Sequence, residues 1–379
     1  MAGLGGFDML EVLPVPEVRG TAHRLEHRSS GARWIHLHTP GDGENLFSVT
    51  IPTPPVDDTG VAHILEHSVL GGSHKFPVRQ PFFQMLAMSM GTYINAFTAS
   101  DYTCYPVAST VPQDLWNLAD VYFDAVFHPV LSEETFLREG HRLAPADPKD
   151  PAGRLTRTGI VFNEMKGYYS QPERRLWTLS TSVLLPDTIY ARDSGGDPAA
   201  IPDLTYEGLL AFHRAHYHPT RAYFFTYGDI PVEAHAAFLD ARLAPFTRQD
   251  GADPVTLRQP RWAAPRRAEF EYQVGEGEPL AEKTFLLVQW LCGDGSDPAD
   301  SVTWQVLSRA LLGHEAAPLR RAVVDARLGR ALTHSGYGED GAEGMFSVGV
   351  KGSEPDRAER LLAVVTETLE GLAAGGLAD

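Results

Sequence analysis

The stretch Gly60–Gly72, GVAHILEHSVLGG, sets two histidines and a glutamate within five residues of an otherwise apolar run. Its pattern predicts a helix, with N-cap chemistry offered by Asp57, Asp58 and Thr59 and an end at Gly71-Gly72. Positions i and i+4 of a helix share one face, so His63 and His67 point the same way and could ligate one ion. Glu66 stands on the flank of that face, able to reach a water at the ion without being a ligand. Two imidazoles plus a carboxylate from elsewhere make the three-ligand, open-position zinc site used in hydrolysis. Zinc polarises a carbonyl and brings the pKa of water toward ~7, and a nearby carboxylate can take up the proton and return it to a leaving amine. Without a metal, the same helix carries two solvent-facing histidines and an ordinary glutamate, and a bare H-x-x-E-H can arise by chance. The apolar setting of Val61, Ile64, Leu65, Val69 and Leu70 weighs against that plainer reading, because unpaired charge there is costly. Glu164, after the apolar run in GIVFNEMKG, is a candidate third ligand; taken alone it reads as a salt-bridging residue.

Outward from this helix, strands are predicted at Ala32–Pro40 and Asn45–Thr53, and a strand-turn-strand over Thr92–Ala108. Helical spacing covers Phe82–Met90, Val111–Leu131, Ser132–Leu143, Thr205–Tyr217 and Pro231–Phe246. A further helix starts within Thr156–Ser170, and Ala222–Ile230 reads as a strand. The polar, Pro- and Arg-rich segment 247–269 reads as a linker between a first domain at 1–246 and a second at 270–379. The second domain repeats the grammar, with strands at Lys283–Trp290 and Gly344–Val350 and helices at Pro298–Leu312, Ala317–Asp325 and Glu354–Ala373. LFSVTI (Leu46–Ile51) and MFSVGV (Met345–Val350) form a short echo between the halves. The expected class is α+β, helices packed on antiparallel or mixed sheets.

The chain has 379 residues, 43% of them hydrophobic and 21% charged, enough to bury a core. Its formal charge of −17 argues against nucleic acid as a partner. Its two cysteines, Cys104 and Cys292, lie far apart with no metal or redox spacing. No signal or transit peptide and no membrane span is legible, so the expected location is cytoplasmic.

Five segments occur in order: GVAHILEHSVLGGSHKFPVRQPFF, INAFTASDYTCYP, GIVFNEMKG, SGGDP and HYHPTRAYFFTYGD. Together they resemble the pitrilysin-type (inverzincin) zinc metallopeptidases, within them the presequence-protease branch, from about Gly31 onward. The resemblance implies tandem αβ domains and zinc held by His63, His67 and Glu164, with Glu66 as general base. It also implies that Asn95, Ala96 and Phe97 lie on a sheet edge where an extended peptide adds as a strand; by residue type alone, Asn95 is equally a turn residue. SGGDP reads as a structural turn, and His216 and His218 as packing residues. The implied activity is endopeptidase degradation of unstructured peptides in a chamber closed by two halves. The family's late Arg and Tyr, which help hold the substrate carbonyl, match no residue here. The chain is therefore expected to be a fragment, a truncation or one partner of a split enzyme that works with a C-terminal half. The alternatives are a non-catalytic scaffold subunit of the same fold and a site-specific processing peptidase subunit.

Overall fold

The computed structural model describes residues 4–250 and 258–376. Its strands, in chain order, are β1 (Phe7–Val15), β2 (Gly20–His27), β3 (Arg33–His38), β4 (Asn45–Pro52), β5 (Gly91–Ile94), β6 (Phe97–Thr98), β7 (Tyr102–Ser109), β8 (Arg142–Pro145), β9 (Leu155–Thr158), β10 (Tyr223–Gly228), β11 (Thr284–Asp294), β12 (Ala331–Asp340) and β13 (Glu343–Ser353). The helices are α1 (Val61–Val69), α2 (Pro81–Met88), α3 (Pro112–Phe127), α4 (Glu133–Glu139), α5 (Ile160–Tyr169), α6 (Pro172–Leu184), α7 (Tyr206–His216), α8 (Val232–Leu243), α9 (Pro298–Leu312), α10 (Pro318–Asp325) and α11 (Ala358–Gly375). The architecture is α+β. Among the described residues no helix is long and apolar enough to cross a membrane.

The chain divides into two compact units, the first comprising Met1–Lys166 and Arg192–Val255, the second Gly167–Ala191 and Thr256–Asp379. The first is built on an eight-stranded sheet in the order β1-β2-β3-β10-β4-β7-β5, with β6 also paired to β7. Neighbours run antiparallel except β3 and β10, which are parallel. β4 and β7 carry the centre of the core. Phe47, Val49 and Ile51 alternate along β4 and are fully buried, and Val107 and Tyr105 stand opposite Phe47 and Val49. Across them lies α3, whose Leu115, Leu118, Ala119, Tyr122 and Val126 recur at three- and four-residue spacing and are all buried. Burial of each large side chain stabilises by about 1.5–3 kcal/mol.

The β1–β2 hairpin is missing from the sequence reading for a physical reason. Pro14 and Pro16 argue against a strand, and β1 buries little beyond Phe7. β1 tolerates Pro14 because it is the outermost strand of its sheet. The helix expected over Ser132–Leu143 stops at Glu139, and Arg142 already belongs to a short hairpin, β8 with β9.

The second unit has a three-stranded antiparallel sheet in the order β11-β13-β12. Phe346, Val348 and Val350 of β13 face Leu312, Leu319, Val323 and Leu361 from α9, α10 and α11. Leu184 of α6 and the following Leu185 and Tyr190 pack with Met345 and Trp262. The segment 258–262, inside the expected linker, is anchored rather than loose. Gln259 is buried and donates its backbone N–H to Glu343 at 2.7 Å, while Arg261 pairs with the same carboxylate at 2.7 Å. Residues 251–257 of that linker lie outside the described residues.

The run β11–α9–α10–β12–β13–α11 repeats β4–α1–α2–β5–β7–α3 of the first unit, with the strands in the same spatial order. The FSV echo does not follow this repeat: it matches β4 with β13, whereas topology equates β4 with β11. Three shared letters in a buried strand reflect apolar filling rather than position.

Candidate metal centre

The helix at the heart of the site starts differently from its sequence expectation. Its N-cap is Gly60, in the left-handed region at φ 66°, with no side-chain cap. Asp57 instead accepts from the Thr59 N–H at 2.9 Å, and Asp58 accepts from the Asp193 N–H at 2.9 Å. A Cβ on Gly60 would lie 2.6 Å from the Gly195 carbonyl oxygen and 2.7 Å from the Gly196 Cα. The glycine therefore lets the 193–197 turn press against the start of α1. Gly60→Ala is expected to destabilise the metal-free protein by about 2 kcal/mol, through strain at positive φ and this backbone clash. Urea denaturation measures it; a loss under about 0.5 kcal/mol, the range of neutral surface substitutions, would mean that the start of α1 yields freely.

α1 buries Val61, Ala62, Ile64, Leu65, Ser68 and Val69 and turns His63 and His67 to one side, their ring centroids 5.0 Å apart. α5 brings Glu164 to them. Its Oε2 lies 3.8 Å from Nε2 of His63 and 3.8 Å from Nε2 of His67. One ligand atom from each of the three lies within 4.8 Å of the others. Ligands of a tetrahedral zinc with bonds of ~2.0–2.1 Å sit roughly 3.3 Å apart, so the two glutamate–histidine pairs are about half an ångström wider than in that cage, and the trio as a whole, within 4.8 Å, must draw in to close on an ion.

The hydrogen bonds behind the imidazoles fit a cation in front of them. His63 Nδ1 donates to the Gly195 carbonyl at 3.0 Å, and His67 Nδ1 donates to Glu139 Oε2 at 3.3 Å. With protons on both Nδ1 atoms, both Nε2 lone pairs face Glu164. Glu66, Glu139 and Glu164 crowd negative charge around two imidazoles, with Arg138 paired to Glu139 at 2.8 Å. Such a donor set suits a divalent cation.

Glu66 is nearly buried, and its Oε2 accepts from Thr98 Oγ1 at 2.9 Å. Burial pushes its carboxyl above the ordinary range, against the opposing pull of His67, His63 and the Thr98 hydroxyl. For His67, burial favours the neutral ring, but the Glu139 hydrogen bond and the surrounding carboxylates outweigh it and hold the pKa above 6.5.

The three residues expected at a substrate edge fall on the outer side of β7. Phe97 belongs to β6 and pairs with Cys104; Asn95 and Ala96 bridge β5 and β6. Asn95 and Phe97 are exposed. The Asn95 backbone turns inward, its N–H donating to the Pro106 carbonyl at 3.2 Å and its C=O accepting from Tyr122 at 3.1 Å. Phe97 leads directly to Thr98, so this edge and Glu66 are one hydrogen bond apart. His216 and His218 pack against aromatic rings instead, His216 tilted against Phe212 and His218 edge-on to Phe246.

Gly195, Glu139 and Thr98 are parts of the site that sequence reading misses. SGGDP is a turn, as expected, but its carbonyl also orients His63. Glu139 carries no signal beyond being an acidic residue on a helix.

The family model "Insulinase (Peptidase family M16)" matches residues 54–144, and "Peptidase M16 inactive domain" matches residues 203–379. The chain is 41% identical, over 98% of its length, to the mitochondrial presequence protease of Xenopus tropicalis, covering 36% of that protein. It is 36% identical, again over 98% of its length, to Protein HypA of Clostridium perfringens, covering 38% of that protein. The chain thus spans little more than a third of the length of these curated relatives. Mitochondrial is a word in the name of the first and describes that protein. Among solved structures, pitrilysin superposes with a TM-score of 0.66 at 17% identity, over 98% of this chain and 38% of that one. A protease from Helicobacter pylori superposes at 0.70 and 17% identity, over 97% of this chain and 82% of that one. These structural likenesses concern the fold.

Proposed function

We propose, from the premise that this chain belongs to the M16 (insulinase) family of peptidases, that it supplies the metal-bearing part of a zinc-dependent endopeptidase acting on unstructured peptides. The observation that carries the reading is the convergence of His63, His67 and Glu164 from α1 and α5, with Glu66 beside them. His63, His67 and Glu164 are the proposed ligands, and Glu66 the proposed base. The proposed metal-bearing domain is 1–246, with a non-catalytic domain at 270–379.

Zinc, when bound, supplies polarisation of a peptide carbonyl and acidification of water. The protein's own part is proton handling and positioning. With Oε2 engaged by Thr98, Glu66 has Oε1 for taking a proton from the attacking water and returning it to the leaving nitrogen. The β5–β6 edge beside Asn95, Ala96 and Phe97 is the proposed place where an extended peptide pairs by its backbone, a mode that reads little of the substrate's sequence.

The short coverage of the relatives supports a requirement for further polypeptide, which would close a chamber, exclude water and hold the peptide. The chain alone is expected to bind one zinc and to cleave mixed unstructured peptides poorly. Addition of a polypeptide matching the rest of a presequence protease should raise that rate. Metal analysis and peptide profiling by mass spectrometry check both points. A chain that takes up no zinc would overturn the reading, and full activity without the added polypeptide would overturn the need for a second part. Cleavage at one site in one peptide would favour a site-specific processing subunit.

A further inference from the structure

We propose that Glu139 is a positioning residue of the metal centre: by fixing the tautomer and orientation of His67, it sets how tightly a divalent cation is held. This rests on the reading of His63, His67 and Glu164 as ligands.

Glu139 is the last residue of α4, and its side chain is only 7% exposed. A carboxylate taken out of water needs partners for both oxygens. Oε1 accepts from Arg138 Nε at 2.8 Å, and Oε2 accepts from His67 Nδ1 at 3.3 Å. Arg138 satisfies only Oε1, and a side chain 7% exposed leaves little water for Oε2. Glu139 instead faces α1, which lies against α4, and reaches a residue 72 positions away.

The consequence falls on the other side of the ring. An acceptor at Nδ1 fixes the proton there and leaves the Nε2 lone pair toward Glu164, the atom 3.8 Å away. It also resists rotation of the ring about its own axis. His63 is handled by an unlike device, the neutral carbonyl of Gly195, in a turn tied down by Asp58. The two imidazoles therefore share a tautomer, but only His67 has a charged acceptor behind it. A carboxylate in that place makes the imidazole a stronger donor to a cation and adds negative charge to the site.

The test is Glu139→Gln in the 379-residue chain, which keeps shape and removes charge. The zinc dissociation constant, read by competition with a chromophoric chelator, is expected to rise about 10–100-fold, with the metal-free urea midpoint used to confirm folding. An affinity equal to wild type overturns the proposal. A second measurement needs no variant: 15N shifts of histidine-labelled, zinc-loaded wild type should show His67 protonated at Nδ1. A His67 protonated at Nε2 overturns the proposal even if Glu139→Gln fails to fold. If the wild type binds no zinc, the reading of the ligand set fails and takes this inference with it; if the wild type binds and the variant binds equally, only the role of Glu139 fails.

Discussion

Glu66→Gln is expected to leave one zinc per chain and to lower peptide hydrolysis by about 10²–10⁴-fold, the range of a lost general acid–base. The two effects separate because Glu66 is not one of the three groups whose ligand atoms converge. Gln keeps the volume of the side chain, and its carbonyl can still accept from Thr98, as Glu66 Oε2 does at 2.9 Å. What it lacks is an oxygen able to take a proton. Folding should not suffer. Burial already disfavours the charged carboxylate at this position, so a neutral amide removes a desolvation cost. The measurement is kcat/KM on an unstructured peptide, with the polypeptide matching the rest of a presequence protease present, alongside metal analysis of the purified variant. Retention of activity within a few fold would remove Glu66 from the mechanism. Loss of zinc together with activity would make Glu66 a member of the ligand shell instead. A scaffold subunit predicts a third result, in which the variant loses no function because the wild type cleaves nothing.

What could be read before the structure followed from how local each signal was. His63, Glu66 and His67 share one helix, so their geometry follows from the period of that helix. Glu164 needed the joint pattern of several distant segments, because no local rule links an acidic residue on α5 to an imidazole on α1. Glu139 and Gly195 lie 72 and 132 residues from the histidines they orient. Nothing at those distances marks a helix-terminal glutamate or a Gly-Gly turn as part of a metal centre. The same divide runs through the fold. The strand β4 is legible from its own buried alternation, and β7 from its aromatic and β-branched residues. The insertion of β10 between β3 and β4, parallel to one and antiparallel to the other, is a property of the whole sheet. Composition and role disagree in the proline-bearing edge strand β1 and the glycine-bearing β12, so neither is legible from its own residues. The N-cap at Gly60 is the reverse case. Three good capping residues precede it, but close approach of the 193–197 turn requires a left-handed glycine instead.

Acid should weaken the first unit before its carboxylates titrate, through two histidines outside the metal centre. His36 on β3 and His235 on α8 are fully buried, their ring centroids 5.0 Å apart. His36 Nδ1 is bonded to Thr226 at 2.8 Å, but its Nε2 and both nitrogens of His235 have no hydrogen-bond partner among the described residues. Trp34 and Trp116 flank His235, while His23 and His38 stack on His36. Burial first, then repulsion from neighbouring histidines, brings both His36 and His235 down to about 3 from an ordinary 6.5. Their folded pKa is depressed, so the unfolded chain binds more protons and stability rises with pH. The stabilisation is complete above about pH 7 and is lost as pH falls from 6.5 toward 3. At pH 5 the unfolded histidine sits 1.5 units below its ordinary pKa of 6.5, worth about 2 kcal/mol per ring and about 4 kcal/mol for the pair. Urea denaturation of metal-free protein at pH 7.5 and pH 5.0 measures the difference. His235→Leu should recover about half of it, since that side chain gives up no hydrogen bond and can no longer charge. An acid loss unchanged in His235→Leu would show that the buried ring is not what the proton seeks.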